Sequence, residues 1–163
     1  MNDAPHLLNR LLARVAAMLT LLTVALTFAV VLARYVFGVG SLAAQDAIMY
    51  SHAAAFMLAM SYALKRDRHV RVDILYRDMS PRGQAIVNLL GTALFLLPTC
   101  ALIIWMSADY VLDSWRVLEG SKDAGGLPGV FLLKTLIPLS AALLAIQAIA
   151  LLPAIFRSIG PTR

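Results

Sequence analysis

The stretch Val15–Ala33, VAAMLTLLTVALTFAVVLA, runs for 19 residues between Arg14 and Arg34 without a charge. An α-helix rises about 1.5 Å per residue, so roughly 20 apolar residues cross the ~30 Å hydrocarbon core of a bilayer. Three more such runs follow. Ala47–Leu64 holds 18 uncharged residues between Asp46 and Lys65, Gly83–Ala108 holds 26 between Arg82 and Asp109, and Thr135–Phe156 holds 22 between Lys134 and Arg157. In lipid only helices or closed barrels satisfy the backbone, and none of these runs alternates as a barrel strand does. The sequence predicts an all-α integral membrane protein, a single membrane domain over 1–163, with transmembrane helices at about 15–33, 43–64, 84–108 and 130–156.

Composition agrees. The chain is 61% hydrophobic and 14% charged, against about 45–50% and about 25% for soluble domains. The first run resembles a signal peptide in following Arg10 and Arg14, but it exceeds the ~7–15 residues of such a segment, so a retained helix is expected. Cys100 stands alone inside an apolar run and behaves as a small hydrophobe.

Charge sets the topology. Ten of the 14 lysines and arginines lie in the amino end, the 65–82 loop and the carboxyl end, and four (Arg34, Arg116, Lys122, Lys134) lie on the other side. The positive-inside rule then places both termini in the cytoplasm. The net charge of +5 reads as headgroup-facing loops and not as a nucleic acid surface, because no basic run is interleaved with aromatics.

Two short amphipathic helices are expected along the membrane surface. One carries Leu7, Leu8, Leu11, Leu12 and Val15 after Pro5, and the other carries Val72, Leu75, Tyr76 and Met79 opposite Asp73, Arg77 and Asp78. Ser80 then caps the third span with Pro81 at its first position. Pro98, Pro138 and Pro153 fall inside spans and mark structural kinks.

Several polar residues stand out. Gln45 and Asp46 open the second span, and Asp46 is expected to pair with Arg34, with Lys134 at the same level, or with a partner subunit. His52 lies deeper. Of the other histidines, His6 and His69 sit outside the spans, so two axial haem ligands cannot be supplied, and His52 reads as a hydrogen-bonded interface residue. The acids Asp109, Asp113, Glu119 and Asp123 read as solvated. The run from Lys65 to Asp73, with Arg68, His69, Arg71 and Asp73, and Tyr76 beyond it, reads as an anchor to lipid headgroups or a partner. No catalytic, cofactor or metal motif appears.

The order of these features resembles a family. Leu64-Lys65-Arg66-Asp67-Arg68-His69-Val70-Arg71-Val72-Asp73, then Glu119-Gly120-Ser121, Gly125-Gly126-Leu127-Pro128, and Lys134 with Ile137-Pro138, are similar to the small membrane subunit of tripartite ATP-independent periplasmic (TRAP) transporters, the DctQ-like type, over roughly residues 10–157. The last three motifs resemble the mannitol/chloroaromatic or 2-oxo acid subgroup. Where many members carry a Trp and a Glu-Glu pair this chain has Ala43 and Gln45-Asp46, and where many carry a Gly it has Leu139-Ser140. The resemblance implies a non-enzymatic subunit without cofactors. Its partners would be a large permease subunit that moves substrate with sodium and a periplasmic substrate-binding protein that delivers an organic acid or similar solute. The alternatives are an autonomous small exporter, which needs a carboxylate near the midplane, a membrane anchor of an oxidoreductase, and a purely structural protein.

Overall fold

The computed structural model describes residues 4–65, 76 and 79–159, with side-chain surroundings from residue 10 onward. The described residues are all-helical, 86% helix, and among them are four helical stretches long and apolar enough to span a membrane. Helix α1 covers Ala4–Phe37 and α2 covers Leu42–Lys65. The third span, Pro81–Arg116, comprises α3 (Pro81–Gly91), a π turn (Thr92–Leu96) and α4 (Leu97–Arg116). Helix α5 covers Val130–Ile159.

Boundaries follow local chemistry. Ser80 caps α3 as expected: its hydroxyl accepts the Gly83 amide at 3.2 Å, and Pro81 takes the first helical position, where a missing N–H costs nothing. The π turn sits immediately before Pro98, and the Leu97 amide reaches back to the Thr92 carbonyl. Proline has no N–H and crowds the preceding turn, and the wider π pitch accommodates it. Pro138 and Pro153 lie within a continuous α5. The amino-terminal segment expected as a separate surface helix instead runs unbroken into α1. Of its counterpart at 72–79, only Tyr76 and Met79 are among the described residues.

The helices form a row more than a closed bundle. Helix α1 packs chiefly on α2, α2 packs next on α5, and α5 packs on α3 and α4. Burial in α1 recurs at Leu12, Ala16, Leu19, Thr23, Leu26, Val30 and Ala33, the alternating four-and-three spacing of a seam between two helices. Among the described residues, every fully buried side chain except Val111, Leu144 and Gln147 is alanine, serine or cysteine. Small residues let helix backbones approach closely, which is how helices associate when the solvent is as apolar as leucine. The large side chains point the other way: Phe28 is 69% exposed and Trp105 80%. In water such a surface would aggregate, whereas in hydrocarbon it is solvated. The threonine hydroxyls of α1 turn to their own helix. Thr20, Thr23 and Thr27 donate to carbonyls four residues back at 2.7–2.8 Å. Where α2, the third span and α5 meet, Cys100, Ala141 and Leu144 form the centre, flanked by Met60, Leu64 and Leu96.

Ala148 is 1% exposed within these contacts, while Ala150 is exposed. Ala148→Leu is expected to wedge α5 from its neighbours at a cost of about 1–3 kcal/mol, read as a lower thermal midpoint in detergent. Ala150→Leu should leave the midpoint in place, and equal midpoints for both variants would contradict the packing.

Candidate functional site

Polar chemistry concentrates where loops 38–41 and 117–129 lie, at one end of the row. Helix α4 ends there in a Schellman turn. The Glu119 amide donates to the Ser114 carbonyl at 3.0 Å and the Leu118 amide to the Trp115 carbonyl at 3.2 Å. Leu118 takes the left-handed position, φ 45°, that glycine usually fills. A leucine held there carries a strain of about 1–2 kcal/mol.

The turn folds Glu119 back over its own helix, and its carboxylate becomes a junction. Ser114 Oγ donates to Glu119 Oε2 at 2.7 Å, and Lys134 Nζ donates to the same oxygen. Lys134 also lies 3.9 Å from the centre of the Tyr110 ring, a cation–π contact. Lys134 stands in the first turns of α5, where the helix dipole disfavours a cation, and Glu119 and the Tyr110 face offset that. Both charged side chains are largely shielded, at 14% and 27% exposure. The Lys134 hydrogen bond, then that from Ser114, holds the Glu119 carboxyl below the usual glutamate range.

A second set of bonds fixes the loop. Asp46 Oδ2, from the start of α2, accepts the Leu127 amide at 2.9 Å, and the Leu127 carbonyl accepts the Ser121 amide at 3.0 Å. Gly126 is required by close approach: a Cβ there would land inside the Ser121 hydroxymethyl group and 2.6 Å from Asp46 Oδ2. Gly125 supplies the positive φ, 88°, of the turn closed by the Gly126 amide on the Asp123 carbonyl. Trp115 Nε1 donates to Thr135 Oγ1 at 2.8 Å, and its ring meets Phe131 edge-on with centroids 4.7 Å apart. The Tyr50 hydroxyl is buried near this end without a hydrogen-bond partner, and a Cβ on Gly129 would stand 3.4 Å from Tyr50 Cε2.

This geometry corrects the expected pairing within the chain. The carboxylate that holds Lys134 is Glu119, and Asp46 binds backbone instead. Arg34 is exposed, and among the described residues no ion pair joins it to an acid. The reason is reach: the Schellman turn delivers Glu119 to α5, while the Gly-rich loop delivers an amide to Asp46. Glu119 is accordingly not one of the solvated acids, unlike Asp113, which pairs with Arg116 at 2.7 Å on an open surface. Gln45 is half-buried beside Asp46, and His52 is exposed on α2. At the opposite end, the Tyr76 hydroxyl accepts Asn88 Nδ2 at 2.8 Å and its carbonyl accepts Gln84 Nε2 at 3.1 Å. Arg68, His69, Arg71 and Asp73 lie outside the described residues. Among the described residues no cluster of histidine, cysteine and acids has the spacing of a metal site. The arrangement binds loops to helices.

A carboxyl held low in the folded state stabilises it above the unfolded pKa, and that contribution is lost as pH falls through the folded value. Glu119→Gln is therefore expected to lower the thermal midpoint at pH 7, and the gap from the unsubstituted protein should close as pH falls below the ordinary glutamate range. A gap that persists at low pH would contradict the ion pair's role.

No curated protein and no solved structure matches the chain. The family model described as "Tripartite ATP-independent periplasmic transporters, DctQ component" matches residues 23–157, which take in the carboxyl-terminal part of α1 from residue 23, both polar ends of the row and nearly all of α5. The chain belongs to the DctQ component family of TRAP transporters and is a transporter subunit, not an enzyme.

Proposed function

We propose that this chain is the small integral membrane subunit of an ion-coupled symporter in a bacterial inner membrane, taking up an organic acid or similar solute. It stabilises a large permease subunit as part of its fixed scaffold and helps seat a periplasmic substrate-binding protein. The observation that carries this reading is the distribution of polar groups along the row. They form a braced cap at one end, and the described midspan offers neither a carboxylate nor an unwound helix around which a solute site is built, the π turn at Thr92–Leu96 remaining helical and hydrogen-bonded. A chain so arranged supports transport without performing it. The excess of cations at the termini and in the 65–82 loop supports cytoplasmic termini and a cap that faces the periplasm. Arg34, Gln45, Asp46 and Lys134 then belong to the periplasmic side. Arg68, His69, Arg71, Asp73 and Tyr76 belong to the cytoplasmic side, against lipid headgroups or the large subunit. The Glu119-Gly120-Ser121 and Gly125-Gly126-Leu127-Pro128 pattern supports the mannitol/chloroaromatic or 2-oxo acid subgroup.

Uptake of radiolabelled organic acids by cells carrying the large subunit and the binding protein tests this reading. Removing this chain is expected to lower uptake by roughly tenfold or more, and the purified chain alone should move no solute into liposomes. Undiminished uptake without it, or transport by the chain alone, would contradict the proposal.

A further inference from the structure

His52 is the feature that the cap and the row leave unexplained. It lies about 15 Å along the axis from Leu42 and about 20 Å from Lys65, near the middle of α2. It is exposed, and among the described residues no hydrogen bond reaches its imidazole. Leu42, Met49 and Phe56 are exposed with it, and the half-buried Gln45 falls on the same line. Positions 42, 45, 49, 52 and 56 follow the three-and-four spacing of one helix face. The side chains that α2 buries, Ser51, Ala55 and Ser61, are small and lie off this line. Because α2 is an interior member of the row, with α1 on one side and α5 on the other, the stripe opens out of the row between its two neighbours.

Lipid accounts for leucine, methionine and phenylalanine but not for imidazole. A histidine within a span is rare on a lipid-facing surface and normally bonds across to another helix. Helix α5 provides the contrast, since its exposed stripe of Leu132, Leu139, Ile146 and Ile149 is wholly apolar and suits acyl chains. The chain belongs to one component of a tripartite transporter, so a helix of another component is at hand to cover this face of α2. We infer that the Leu42–Gln45–Met49–His52–Phe56 face of α2 is the surface on which a transmembrane helix of the transporter's large membrane subunit packs. That helix brings small residues to the crossing and a hydroxyl or freed carbonyl to accept the imidazole N–H. This rests on the reading of the chain as a subunit of a larger membrane complex.

The test uses the tagged chain co-expressed with the large membrane subunit. The photoreactive amino acid p-benzoylphenylalanine is placed at Met49 or at Phe56, and the membranes are irradiated before solubilisation. The expected adduct has the summed mass of this chain and the large subunit. His52→Leu should lower retention of the large subunit on the tag by roughly fivefold, while His52→Gln, which keeps an N–H donor, retains it. Large subunit that co-purifies with the unsubstituted chain yet forms no adduct at either position overturns the assignment of this face and leaves the accessory role standing. An adduct of twice this chain's mass, or only lipid adducts, overturns it in the same way. Failure of the large subunit to co-purify at all overturns the subunit reading and the inference with it.

Discussion

A peptide group in hydrocarbon has no water to bond, and this constraint governs the molecule. It forces each crossing into a helix, with even threonine hydroxyls turned onto carbonyls of their own turns. It also removes the usual driving force for burying large apolar groups, because the outside is as apolar as the inside. What remains to hold the helices is close contact, so the described interior is built mainly of alanine, serine and cysteine and the exterior mainly of large apolar side chains such as leucine, phenylalanine and tryptophan. A row of four helices with wide apolar faces is stable under these terms.

Packing through small residues fixes distance well and axial register weakly. The polar cap supplies register. Asp46 ties the start of α2 to the 117–129 loop, Glu119 ties the end of α4 to the start of α5 through Lys134, and Trp115 adds a bond to Thr135. The ties join three spans at one membrane surface, where loops meet water and a charged pair can be partly shielded. The strained Leu118 belongs to the same device, since its left-handed turn is what aims Glu119 at Lys134. Under the function proposed above, a cap braced in this way is the platform on which the soluble binding protein sits.

The spans were legible because lipid leaves a blunt signature: uncharged runs of sufficient length, ended by Arg, Lys or Asp. The Ser80–Pro81 start was legible because capping is local. The cap was only half legible. Asp46 and Lys134 stood out as charges at span ends, but their partners depended on a backbone amide at Leu127 and on a turn that a leucine takes against its preference. No spacing rule marks those, and Glu119 looked like its solvated neighbours. The continuity of α1 with its amphipathic start was missed because surface and spanning helices share the same periodicity. His52 was visible as a polar residue within a span, but only the structure shows that the chain itself leaves it uncovered.

The central claim is that bilayer solvates this chain through four crossings, which sets loops 38–41 and 117–129 on one side and Ser80, at the start of α3, on the other. Single cysteines at Gly40, Lys122 and Ser80, in a Cys100→Ala background, can be probed with a membrane-impermeant maleimide on intact and on permeabilised cells. The account predicts that Gly40→Cys and Lys122→Cys react in intact cells and that Ser80→Cys reacts only after permeabilisation. Reaction of Gly40→Cys and Lys122→Cys from opposite sides of the membrane would contradict it.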